Sequence, residues 1–91
     1  MSKYNYFSVL YVDGYAFPTE PQASFDFNSQ GFMFLNRGSH AIQYSFDGST
    51  VHGDLNPLDA SRGLTFDGRC ECKAWFKGVD GYGTVRVEAW R

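Results

Sequence analysis

Few residues of the types that most often carry chemistry occur in this 91-residue chain. Two cysteines form a Cys70-Glu71-Cys72 motif, and the two histidines are His40 and His52. Positions i and i+2 of a strand share a face, so both thiols are expected on one side of a strand. The favoured interpretation is two small core residues, because free cysteine is among the most buried residue types. A metal site that recruits a histidine and a disulfide between subunits stay open as alternatives.

Covalent and cofactor-dependent catalysis is not indicated. Ser39 precedes His40, but adjacency in sequence says nothing about a catalytic triad, which the fold assembles. The chain has no Gly-x-Ser-x-Gly motif, and the glycine-rich stretch Gly78–Gly83 is expected to be a long hairpin turn between two strands, not a phosphate-binding loop. We therefore predict that the protein is not an enzyme and needs no metal or cofactor.

Several acidic residues fall in predicted loops, where paired carboxylates could hold Ca²⁺ or flank a glycosidic bond. These residues are Asp47, Asp54, Asp59, Asp67 and Asp80. No segment has the dense spacing of a calcium-binding loop. Asp-Gly dipeptides favour tight turns, which accounts for positions 47, 67 and 80, and we interpret these aspartates as turn formers.

Charge and hydropathy limit the partners. The formal net charge is -2, and the eight Lys and Arg residues are scattered singly, whereas a nucleic-acid-binding protein normally has a basic stripe. No apolar run approaches the ~20 residues that span a bilayer, and the N-terminus lacks the pattern of a signal peptide. We expect a soluble protein made in the cytoplasm, with no nucleic-acid or membrane partner.

Apolar and polar residues alternate with a period of two along most of the chain, which is typical of half-buried strands. The alternation is clearest in His40–Asp47, Arg69–Lys77 and Thr84–Trp90, and further strands are predicted at Tyr4–Val12, Phe25–Asn28, Phe32–Asn36, Thr50–Leu55 and Leu64–Phe66. The chain is therefore predicted to be one all-β domain over residues 1–91, a small antiparallel β-sandwich or compact barrel of about seven to eight strands.

Aromatic residues are more numerous than one small core needs: nine Phe, six Tyr and two Trp. Some should therefore lie on a surface that meets a partner. Trp75 and Trp90 are on the polar phase of their strands, and the segment Tyr4–Val12 has aromatics in both phases. The predicted interface residues are Tyr4, Tyr6, Phe7, Tyr11, Trp75 and Trp90, and residues 1–17 are expected to be a contact arm or edge strand. As an alternative, Trp75, Tyr82 and Trp90 could stack against sugars in a carbohydrate-binding sandwich.

One stretch, from Phe34 to Trp90, has a family resemblance. It contains Phe-Leu-Asn-Arg-Gly, then Ala-Ile-Gln-Tyr-Ser-Phe-Asp-Gly, later Ala-Trp-Phe-Lys, and closes on Val-Arg-Val-Glu-Ala-Trp. This stretch resembles small β-sandwich virion proteins of tailed bacteriophages, with their Ser-Phe-Asp-Gly-type hairpin, Trp/Phe strand and Val-x-Val-x-Ala-Trp-like last strand. Residues 1–27 have no match.

The resemblance implies a non-enzymatic structural protein of a bacteriophage virion, present in many copies. Such proteins decorate or stabilise the capsid, or form a ring or adaptor at the neck or tail. The implied partners are the protein itself, as a homo-oligomer, and a major capsid or neck/tail protein. The implied location is the virion, after synthesis in the host cytoplasm.

Overall fold

The computed structural model describes residues 6–25, 30–56, 64–67 and 71–90. Over these residues the chain forms eight β-strands and no helix. The strands are β1 (Tyr6–Val12), β2 (Ala23–Ser24), β3 (Gly31–Asn36), β4 (Ile42–Ser45), β5 (Gly53–Leu55), β6 (Leu64–Asp67), β7 (Lys73–Gly78) and β8 (Gly83–Trp90). They make two four-stranded sheets, and the prediction of a small all-β sandwich is confirmed.

The first sheet has the strand order β1-β8-β3-β6 and the second has the order β2-β7-β4-β5. Every pairing is antiparallel. Only β4 and β5 are both consecutive in sequence and paired, and every other pair of consecutive strands is divided between the two sheets. The prediction of a hairpin turn at Gly78–Gly83 is therefore wrong, because this segment joins β7 of the second sheet to β8 of the first.

The core lies between the two sheets and follows the predicted alternation. On β8 the inward residues Val85, Val87 and Ala89 are fully buried. Aromatic rings fill the centre: the centroids of Phe32 and Phe66 are 4.7 Å apart, in a stacked pair. Truncating a buried Phe to Ala typically costs about 3–5 kcal/mol, so this cluster is a major source of stability for a small domain.

Several strands are shorter than the sequence predicted, and the position of β2 differs most. The strand expected at Phe25–Asn28 begins earlier, because β2 is Ala23–Ser24, and residues 26–28 lie outside the described part of the chain. Just before β2, the side-chain amide of Gln22 donates to the carbonyl of Phe76 at 2.7 Å and accepts from its N–H at 3.0 Å. A side chain thus supplies the hydrogen bonds of a strand residue, which apolar patterning does not reveal.

The cysteine motif is also placed differently. Cys72 precedes β7, which begins at Lys73, so the expectation that it lies within a strand is wrong. Its side chain is half-buried and packs against the core, which agrees with the interpretation as a core thiol. Cys70 lies outside the described residues.

No helix capable of spanning a membrane occurs among the described residues.

Candidate interaction surface

The outer side of the first sheet carries apolar residues from three of its four strands. Cross-strand register aligns Phe7 of β1 with Glu88 of β8 and Met33 of β3, and it aligns Val9 with Arg86 and Leu35. Partners in register share a face of the sheet. We call this surface the apolar face and define it by Phe7, Val9, Tyr11, Met33, Leu35 and Trp90, with Arg86 and Glu88 between them.

The apolar face is open at β1 and half-covered elsewhere. The exposed fractions are 48% for Phe7, 46% for Val9 and 64% for Tyr11. The outward residues of β3, Met33 and Leu35, are half-buried. Single exposed apolar residues are normal on a protein surface, but Phe7, Val9 and Tyr11 lie side by side on one face of β1, and clusters of exposed apolar residues are common at interaction sites.

The sequence produces this patch because β1 and β3 are apolar in both phases. In β3, Phe32 and Phe34 face the core and are fully buried, which leaves Met33 and Leu35 for the outer side. A strand that is apolar throughout is expected where both of its faces are covered. Within the described residues the core covers only one face of β3, and its outer residues are half-buried.

The two charges on the apolar face neutralise each other. Arg86 Nε lies 2.7 Å from Glu88 Oε2, two residues along the same strand. Glu88 is only 8% exposed, and a buried carboxylate is tolerable only when it is paired. The guanidinium of Arg86 also lies over the ring of Phe7, 4.7 Å from its centroid. A partner that covers this pair does not need to supply a counter-charge.

Trp90 extends the apolar face over Gly31, the first residue of β3. Its register partner is Gly31, and a Cβ added there would lie 2.5 Å from Cζ2 of the indole. The indole therefore lies directly on the glycine, half-buried at the surface of the sheet. The prediction that Trp90 points away from the core is correct.

Two of the remaining predicted interface residues, Tyr6 and Trp75, are not on this surface. Tyr6 lies on the core side of β1, half-buried against the core, with its ring edge-on to Phe25 at 4.8 Å. Tyr4 lies outside the described residues. The predicted alternation of Tyr6 against Phe7 and Tyr11 is correct, but only the last two reach the apolar face.

Trp75 points outward from the second sheet, as predicted, but it is not exposed. A turn over residues 46–50 covers it and leaves it 9% exposed. Gly48 has a positive φ of 83° and lies so close that a Cβ there would be 2.9 Å from Cε2 of the indole. The indole Nε1 is buried and has no hydrogen-bond partner among the described residues. Trp75 was predicted to be an interface residue, but its side chain has almost no surface that a partner could contact.

Asp47 holds this covering turn in shape. Its Oδ1 accepts hydrogen bonds from the backbone N–H of Thr50 at 2.8 Å and of Ser49 at 2.9 Å, and from the Ser45 hydroxyl at 2.9 Å. These bonds, the one from Thr50 first, hold the pKa of the Asp47 carboxyl well below its usual range because each favours the charged form. The interpretation of Asp47 as a turn former is confirmed.

The rest of the second sheet's outer side is polar. Gln43 of β4 is flanked in register by Lys77 of β7 and Asp54 of β5. Asp54 is thus a strand residue, as the predicted strand Thr50–Leu55 has it, and its grouping with the loop aspartates is wrong. The same grouping is wrong for Asp67, the last residue of β6. The two sheets differ in chemistry on their outer sides, although both have the same number of strands.

The metal and calcium alternatives gain no geometric support. His40 and His52 lie beyond opposite ends of β4. The first is 3.6 Å from Asp80, and the second accepts the N–H of Phe46 at 3.0 Å. The described residues contain no group of three His, Cys, Asp or Glu side chains placed to hold a metal ion. Asp59 and the side chain of Asp67 lie outside the described part.

The three aromatics of the sugar-binding alternative do not come together. Trp75 and Trp90 lie on the outer sides of different sheets. Tyr82 lies in the segment between β7 and β8, where its ring packs 5.2 Å from that of Tyr15. A single stacking platform cannot be built from these three positions.

Sequence reasoning missed Met33, Leu35 and the Arg86–Glu88 pair. The signal for the first two was present, because β3 is apolar at consecutive positions, but such a strand does not tell which phase faces out.

We compared the chain with protein-family models, with curated proteins and with solved structures, and none of the three comparisons found a match.

Proposed function

We propose that this protein is a non-enzymatic assembly subunit that docks through its apolar face, and that the assembly is a bacteriophage capsid which it decorates or stabilises. The apolar face carries the docking part of the proposal. The capsid part rests on the resemblance of residues 34–90 to small virion β-sandwich proteins. A neck or tail ring is the alternative position, and it would use the same surface.

The composition of the apolar face favours a protein partner. Aromatic residues, Met and Arg are enriched in protein interfaces relative to the rest of the surface, and this face has Phe7, Tyr11, Trp90, Met33 and Arg86. Its residues lie on strands of a sheet, so little conformational freedom is lost on docking. Aromatic and Arg residues at the centre of an interface also tend to dominate its binding energy.

A repeated partner surface suits a small docking patch. A stable interface buries about 1,200–2,000 Å² in total, and a 91-residue chain offers one patch of limited size. Neighbouring copies on a shell raise the effective concentration of each contact, so modest affinity per site is sufficient. The sugar-binding alternative has less support, because its two tryptophans are on different sheets.

The test compares matched substitutions on the two outer faces. Leu35→Glu places a carboxylate beside Arg86 on the apolar face, and Gln43→Glu places one beside Lys77 on the second sheet. Both positions are half-buried in central strands, and both new carboxylates face a cation. The carboxylate of Gln43→Glu also faces Asp54 of β5, so the control is the harsher charge substitution of the two. Binding is measured by co-sedimentation with phage capsid shells assembled without this protein, and with tails.

We expect the parent and Gln43→Glu to saturate the shells, and Leu35→Glu to bind at least about tenfold more weakly because docking would bury its new charge. Circular dichroism confirms that both variants fold. Equal binding by Leu35→Glu and the parent contradicts docking through the apolar face. If the parent protein binds tails but not shells, the proposed position changes from the capsid to the neck or tail. If it binds neither shells nor tails, the proposal of a virion protein is contradicted.

A further inference from the structure

Over the part of the chain that the structure describes, the edge strands of the sandwich differ in length. The edges of the second sheet are β2 with two residues and β5 with three, and the outer strand β6 of the first sheet has four. The fourth edge, β1, has seven residues and contains no charged residue, no proline and no glycine. Natural proteins shorten edge strands or place Lys or Pro in them, because an exposed edge pairs with other strands.

We propose that β1 pairs with β1 of a second copy of this chain, antiparallel and about a two-fold axis at Val9. Opposite residues in an antiparallel pair lie on the same face. The axis therefore passes midway between the two copies of one residue. When that residue is Val9, the middle of Tyr6–Val12, all seven residues of both strands pair. The two copies then form one continuous eight-stranded sheet.

The side chains fit this self-pairing. With the axis at Val9, each Phe7 faces Tyr11 of the other copy, and the two Val9 residues face each other on the same outer side. Aromatic and β-branched cross-strand pairs stabilise antiparallel sheets. Each copy has a net charge of -2, but β1 itself has no charged residue. Pairing two β1 strands therefore places no like charges opposite each other. A two-fold interface needs such self-complementarity, whereas an unrelated peptide would match only the backbone.

The pair deepens the proposed assembly function and rests on it, because it places the apolar faces of two copies side by side on one docking surface. Self-pairing alone covers little area. The exposed parts of Phe7, Val9 and Tyr11 amount to on the order of 300 Å² per copy, against about 800 Å² per partner in a standard interface. The pair is therefore weak in dilute solution and forms where copies are held close together.

A covalent trap tests the pairing and its register. Across an antiparallel pair the two Cα atoms at Val9 lie about 4.5–5.5 Å apart, which is within the range of a disulfide. Position 11 of one copy faces position 7 of the other, so two copies of position 11 are about 13 Å or more apart and cannot be bridged. Val9→Cys and Tyr11→Cys are compared in a Cys70→Ala/Cys72→Ala background at high protein concentration under mild oxidation.

We expect Val9→Cys to form at least about tenfold more disulfide dimer than Tyr11→Cys, because only the first pair meets disulfide geometry. Tyr11 is the more exposed position, at 64% against 46%, so random collision predicts the opposite order. A mixture of Phe7→Cys and Tyr11→Cys is expected to cross-link between the variants and not within either one. Mass spectrometry identifies each linked peptide.

Three results overturn the proposal: no dimer from folded Val9→Cys with a titratable thiol, equal dimer from both single variants, or a cross-link from Val9→Cys to the shell protein in place of itself. The Leu35→Glu experiment is independent, because Leu35 lies two strands away from the β1 edge. If Leu35→Glu loses shell binding and Val9→Cys stays monomeric, docking is supported and self-pairing is contradicted. If Leu35→Glu binds shells like the parent and Val9→Cys forms the dimer, self-pairing is supported and docking through the apolar face is contradicted.

Discussion

The outer side of the first sheet is largely apolar and is open along β1, whereas the outer side of the second is polar and has its tryptophan beneath a turn. Trp90 and Trp75 occupy equivalent phases, each pointing away from the core on a strand next to a sheet edge. Trp90 lies on Gly31 at the surface, and Trp75 lies under Gly48. Alternation therefore decides the side of a sheet on which a residue lies, and the loops decide whether that residue is accessible.

The largest expected difference between the two faces is in the cost of truncating their tryptophans. Trp75→Ala is expected to lower the free energy of unfolding by about 3–5 kcal/mol, as for other buried Trp truncations. Trp90→Ala removes a half-buried side chain and is expected to cost about 1–2 kcal/mol, while weakening binding to shells. Urea denaturation measures both. Equal losses would contradict the distinction between a covered and an open tryptophan.

Substituting the two glycines that contact these indoles, Gly31 and Gly48, is expected to give a smaller difference in the free energy of unfolding. Gly48→Ala combines a positive φ of 83° with a close contact to Trp75, which is enclosed, and is expected to cost about 2–3 kcal/mol. Gly31→Ala displaces Trp90, which can rotate into solvent, and is expected to cost about 1 kcal/mol. Gly14→Ala is the control, because the nearest atom is 3.8 Å away and no positive φ occurs there; it should change stability by less than about 1 kcal/mol.

Thermal unfolding followed by circular dichroism ranks the three variants. The order Gly48, Gly31, Gly14 is expected, from the most to the least destabilising. A variant Gly31→Ala that binds shells like the parent would show that the position of the Trp90 indole on the sheet does not matter for docking. A cost at Gly48 as small as that at Gly14 would show that the covering turn adapts without strain.

Much of the fold was predictable from sequence because its signals are local. Period-two alternation identified the strands, and it assigned Val85 and Val87 to the core and Trp90 to the outside. The burial of Trp75 was not predictable, since it depends on a turn that folds back over the strand. The outer residues of β3 were not assigned either, because Met33 and Leu35 alternate with equally apolar phenylalanines, and only pairing with β8 separates the two phases.

The smallest expected effect concerns the turn that covers Trp75, and it depends on pH. Hydrogen bonds from Thr50, Ser49 and Ser45 depress the pKa of Asp47 in the folded protein, against about 3.9 in an unfolded chain. A depressed folded pKa contributes stability that is fully present above the unfolded pKa and is lost as pH falls toward the folded one. Asp47→Asn removes this contribution while keeping a side chain of the same shape.

The midpoint of thermal unfolding should therefore be higher for the parent than for Asp47→Asn at pH 5 and above. The difference should shrink steadily as pH is lowered from about 4 toward 2, where the unfolded-state carboxyl is protonated. Subtracting the two proteins at each pH removes the titration of all other carboxyls, which they share. Because Asp47 is at the surface, the effect is expected to be small, and added salt should reduce it. A difference that is constant with pH, or that grows in acid, would show that the turn does not depend on the charged form of Asp47.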